Sequence, residues 1–164
     1  MKLRILLFVL ASVANLHSAT FTDYYNSLKK HEKMTTSVVL NREGHKTIGA
    51  GINLDKHGLG DKFKVGQNLA ISQIDNITFS VVKKAESEAK KIFTNFDSHS
   101  HNLKIILVTL VVLEGENVVK NRSRFITAIN AKNYKQAAVE LRYFPYRLIN
   151  RAMINTFAAE IEKM

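Results

Sequence analysis

Cysteine is absent from this chain of 164 residues, which excludes disulfides and thiolate metal sites. Stability must come from packing alone. Proline occurs once, at Pro145, and marks a single sharp turn. There is no internal repeat and no low-complexity block, so a solenoid or a disordered linker is excluded. Long apolar runs are missing too. Ile5 to Leu10 and Leu103 to Leu113 both fall well short of the roughly 20 residues a membrane span requires. Acids are scarce, with 14 Asp and Glu against 24 Lys and Arg, giving a formal charge of +10. Such a surface suits a polyanionic partner, whether nucleic acid, acidic lipid or anionic cell wall; a merely solvated basic surface is the plainer reading. What is present is an ordinary globular balance, 46% hydrophobic and 23% charged, in a length that favours one domain.

The N-terminus narrows these choices. Lys2 and Arg4 precede the apolar run Ile5 to Leu10, and small residues follow. This is the layout of a secretory signal peptide over residues 1–19, with cleavage after Ala14 or Ala19. Residues 20–164 then form the mature domain, exported to the periplasm or the extracellular space. Export disfavours nucleic acid as partner and favours the cell envelope, either its wall or an envelope protein.

Thr22 is a plausible cap for a helix running to about Lys33, with Tyr25, Leu28 and Glu32 on one face. Thr35 to Leu40 is β-branched and reads as a strand, Asn41-Arg42-Glu43-Gly44 as a turn, and His45 to Ile48 as the returning strand of a hairpin. Gly49-Ala50-Gly51 permits tight backbone geometry. Beyond it the pattern is helical: from Ser72 towards Phe93 with a solvated face at Lys83 to Lys91, then Leu103 to Leu113, Arg122 to Ala131, Tyr134 to Leu141, and Leu148 to Lys163. The Leu103 to Leu113 stretch is apolar on every side, as a central buried helix would be. The fold class is α+β, mainly helical, with the sheet confined near the N-terminus.

Glu32 closes the first helix on its apolar face. A carboxyl partly removed from water holds its proton towards neutral pH, which suits donation to a glycosidic oxygen. By itself, a glutamate at a helix end is more often a surface or capping residue.

Glu32, eight intervening residues, Asn41, five more, and then Thr47-Ile48-Gly49-Ala50-Gly51 together resemble the phage-type lysozymes, glycoside hydrolase family 24. Weaker likenesses follow at Ile71-Ser72, Leu103 to Gly115, Tyr134-Lys135-Gln136-Ala137-Ala138 and Leu148-Ile149-Asn150-Arg151. The resemblance implies a hairpin lobe and a helical lobe with a peptidoglycan glycan strand between them and no cofactor. It implies Glu32 as the acid and Thr47 as its hydroxyl partner at the anomeric carbon. It also implies an aspartate where this chain has Asn41. A neutral amide cannot stand in for a carboxylate beside an oxocarbenium centre. Three repairs offer themselves. Glu43 supplies the charge from the same turn; or Glu32 works alone, as in lytic transglycosylases that leave a 1,6-anhydro product; or catalysis is lost and wall binding remains. At Leu113-Glu114-Gly115 the resemblance also implies a polar amide that this chain lacks.

Other features carry less. His45, His57, His99 and His101 have no matching carboxylate cluster, so no metal is expected. Gly49-x-Gly51 lacks the frame of a nucleotide loop. Lys120, Arg122 and Arg124 form a basic cluster that either touches wall phosphates or is simply solvated. Tyr143-Phe144 before Pro145, with Tyr146 after it, reads as a plug over the core rather than a sugar platform.

Overall fold

In the computed structural model, residues 19–144 and 151–164 are described; the signal-peptide reading of residues 1–18 and the motif positions 145–150 lie outside them. The first helix, α1 (Phe21–His31), starts two residues earlier than Thr22 would set it. Thr20 is the cap. Its hydroxyl accepts from the Asp23 N–H, and the Asp23 carboxylate accepts from the Thr20 N–H at 2.7 Å, so two orphan amides are satisfied reciprocally. The buried side of α1 is Tyr24 and Leu28, four apart, rather than Tyr25. Tyr25 is half-buried and donates its hydroxyl to Asp75 at 2.6 Å. The helix stops one residue before Glu32, which is its extended C-cap.

The hairpin follows as β1 (Thr35–Leu40) and β2 (Lys46–Gly49), and a short third strand, β3 (Ile52–Asn53), adds an antiparallel pair that the sequence pattern does not reveal. The register pairs Val39 with Thr47 and Thr35 with Gly49, so β1 carries a bulge between them. The free edge of β1 is covered by the segment Gly66 to Leu69: Val38 N–H donates to Gln67, and Gly66 and Leu69 N–H donate back to Val38 and Thr36.

Helix α2 (Ile71–Ile92) begins where the Gln73 side chain accepts from the Ala70 N–H, not at a Ser72 cap. Then come α3 (His101–Glu114), α4 (Glu116–Lys120), α5 (Ser123–Asn130), α6 (Tyr134–Arg142) and α7 (Arg151–Glu162). As its composition requires, α3 is buried on all sides from Ile106 to Glu114, packed against α1, α2, α4 and β3. In the second helical group α6 sits between α5 and α7. Phe125 joins the two parts of the core, edge-on to both Phe93 and Phe144. Phe144 is therefore a core plug, whereas Tyr143 is exposed. No described helix is long and apolar enough to cross a membrane.

Candidate active site around Glu32

Ending α1 at His31 turns Glu32 out of the helix body and into the gap beside the sheet. Its N–H still closes the last helical turn on Leu28, at 3.0 Å, which fixes the backbone. The side chain lies along Gly51, in the turn between β2 and β3. A methyl group at Gly51 would stand 3.0 Å from Glu32 Cγ and 3.3 Å from Cδ. With φ at +75°, Gly51 also holds a backbone conformation costly for other residues. Gly49, at φ +62°, lets the same turn close onto Ile74 of α2. The glycines thus bring the sheet up to the carboxyl.

Burial pushes the Glu32 carboxyl above its ordinary value, and among the described residues no charged neighbour adds to the shift. Glu32 is half-buried, so one side is desolvated while the other stays accessible.

Thr47 sits on β2 opposite Asn53 and donates its hydroxyl to the Val39 carbonyl at 3.3 Å. Asn41 and Glu43 are at the hairpin tip. From Gly49 to His45, at the base of that turn, is four strand steps, about 13 Å. Asn41 Oδ1 accepts from the N–H groups of Glu43 (3.0 Å) and His45 (2.9 Å) and so organises the turn. Gly44, at φ +80°, completes it. Glu43 is exposed and leans to His45, 3.8 Å away. Its charge acts on Glu114 at the end of α3, raising that carboxyl, and not on Glu32.

Glu114 has the more unusual setting. It is 3% exposed, its Oε2 is 3.9 Å from Lys56 Nζ, and its Oε1 has no hydrogen-bond partner. Burial is the largest cause of its raised pKa. Lys56 also donates to the Glu114 carbonyl at 3.2 Å, while His57 Nε2 donates to the Val112 carbonyl at 3.0 Å. These two side chains tie the segment after β3 to the end of the central helix. Their role was not legible in the sequence, because their partners lie 58 and 55 residues away along the chain.

The remaining histidines scatter. His99 is 2% exposed, and neither ring nitrogen has a hydrogen-bond partner. His101 lies 3.6 Å from Asp23. Among the described residues no group of three His, Asp or Glu is placed to hold a metal ion. In the basic cluster Lys120 pairs with Glu116, Arg122 lies over the Phe144 ring, and Arg124 is exposed.

These elements, a capped helix leading to a glutamate, a three-stranded antiparallel sheet and helices around a buried one, make a lysozyme-like α+β fold. The chain is similar to the endolysin from Escherichia coli O157:H7 phage FAHEc1, with a TM-score of 0.66 and 19% identity over 89% of this chain and 94% of that one. It is also similar to the muramidase domain of SpmX from Asticaccaulis excentricus, with a TM-score of 0.65 and 12% identity over 90% and 96% of the two chains. No family model and no curated protein matches the sequence.

Proposed function

We propose that this protein cleaves peptidoglycan as an exported muramidase, with Glu32 as general acid at the β-1,4 bond between N-acetylmuramic acid and N-acetylglucosamine. The observation that carries the reading is the position of Glu32. It is a half-buried carboxyl raised by desolvation, backed by Gly51 beside the sheet and held at a fixed helix end. The likeness to an endolysin and a muramidase domain supports the class of reaction. Fold alone does not assign chemistry, so the residues have to carry it.

The Glu32 carboxylic acid gives its proton to the bridging oxygen as the bond from that oxygen to the anomeric carbon breaks. In hydrolysis a water then adds to that carbon and returns a proton to Glu32. Thr47, on β2, would orient the incoming oxygen. A second reading is favoured by Asn41, whose Oδ1 is committed to two turn amides and which carries no charge. In it, the 6-hydroxyl of the muramic acid attacks the anomeric carbon, Glu32 takes the hydroxyl proton, and a 1,6-anhydro end results without a second carboxylate. The basic surface suits an anionic wall in either case.

Digestion of purified peptidoglycan by the mature protein, with mass spectrometry of the soluble products, tests both. Reducing ends are expected from hydrolysis, anhydro ends from the single-acid route. Asn41→Asp keeps an oxygen for the two turn amides and restores a carboxylate, so it should raise the share of reducing ends. Retention of the protein on wall material with no soluble product over the pH range 4–8 would overturn cleavage and leave a wall-binding module.

A further inference from the structure

The segment after β3, the middle of α2 and the junction of α3 with α4 enclose a second polar site, a cavity of about 380 Å³. It is lined by Lys56, Lys84, Glu88, Glu114 and Glu116, among others. Its charges are sorted by depth. Glu114 and Glu88 are 3% and 8% exposed, whereas the Lys84 side chain is 59% exposed and lies at the rim. Glu114 Oε1 is buried without a hydrogen-bond partner. Lys84 Nζ is 3.7 Å from Glu88 Oε1, and Lys56 Nζ donates to the Glu114 backbone carbonyl and stands 3.9 Å from the other carboxylate oxygen, Oε2.

The arrangement selects a ligand by elimination. A phosphate or other simple anion would meet two carboxylates at the floor. A bare cation would meet two ammonium groups, Lys56 and Lys84, and the third carboxylate of the lining, Glu116, is already paired with Lys120. A group with an ammonium pointing inward and a carboxylate pointing outward satisfies both layers, with charge-assisted bonds at each end. We propose that this cavity binds the zwitterionic head of an amino acid, ammonium and carboxylate on one carbon, carried on the peptide branch of a peptidoglycan strand. The cavity itself stands on Glu114, Glu88, Lys56 and Lys84; that the head belongs to a wall peptide rests on the muramidase reading. Lys56 is five residues from Gly51, which touches Glu32, so the two sites are at most about 18 Å apart along the chain. The proposal requires that one strand with its branch reach both.

The probes are two synthetic tripeptides that differ in their last residue: meso-diaminopimelate, whose side chain ends in such a head, and L-lysine, which lacks the outer carboxylate. Titration calorimetry with the mature protein should show the diaminopimelate peptide binding about tenfold tighter or more. Glu114→Gln should weaken both peptides by about tenfold. Lys84→Gln, on an exposed helix face, should bring the two affinities together, and it decides the matter even if the Glu114 variant fails to fold. Equal affinity of the wild-type protein for the two peptides, or a preference that survives Lys84→Gln, overturns the proposal. Fragment release from peptidoglycan without peptide binding also overturns it. Peptide binding without fragment release sinks the cleavage reading instead and leaves this site standing.

Discussion

Glu32→Gln is expected to lower the release of soluble glycan fragments by about 10²- to 10⁴-fold, the usual contribution of a positioned general acid. The same change should stabilise the fold, and by an amount that depends on pH. Burial raises the Glu32 carboxyl above its ordinary 4.5, so the folded protein resists ionisation that the unfolded chain undergoes freely. Below pH 4.5 the carboxyl is neutral in both states and behaves much like the amide. As pH rises past that value, the unfolded chain sheds the proton and the wild type loses stability relative to the variant. The difference grows until pH passes the folded value and then levels off. Thermal melts of the two proteins at pH 4 and pH 7 should therefore nearly coincide at the lower pH and separate at the higher, with the variant melting later. A variant that melts earlier at pH 7, or that keeps its digestion rate, would remove Glu32 from the role. With Glu32 as the acid, the same raised pKa should carry activity to a higher pH than an ordinary glutamate allows, because the acid must enter the reaction protonated.

Much of this site was legible in the chain itself, for identifiable reasons. Glu32, the turn at Asn41 to Gly44 and the glycines at 49 and 51 announce themselves because local chemistry fixes them: a helix must end, a hairpin must turn, and a positive φ calls for glycine. The central helix was legible because Leu103 to Leu113 has no polar face to expose. What escaped was locally ambiguous, too short to show a pattern, or dependent on partners distant in sequence. The first cap was read at Thr22 because Thr20 and Thr22 both fit, and only the Asp23 carboxylate decides between them. The strand Ile52–Asn53 is too short to show a period. The solvated face expected at Lys83 to Lys91 holds for the lysines but not for Glu88, which α2 turns inward. Glu114 appeared only as a departure from a familiar pattern. Its burial, its meeting with Lys56 and the charge of Glu43 facing it come from packing α3 against the segment after β3.

Gly51→Ala should damage the site directly, because backbone strain and a collision with Glu32 itself coincide there. Its φ of +75° costs an L-residue about 1–2 kcal/mol. In a domain of this size that lowers the melting temperature by roughly 2–8 °C. The new methyl would also press on Glu32 Cγ at 3.0 Å and Cδ at 3.3 Å, and the side chain of Glu32 can yield more readily than the sheet. A displacement approaching 1 Å at an acid is enough to lower the rate by about 10². Gly66→Ala separates the two effects. Gly66 has φ +82° but nothing within 4 Å of the added methyl, so its variant should lose similar stability and keep its digestion rate. Comparable activity losses in both variants, measured well below their melting temperatures, would mean that the contact with Gly51 does not hold Glu32 in its working position. Loss confined to Gly51→Ala ties the rate to that contact, and so to the closeness with which the turn between β2 and β3 backs the carboxyl.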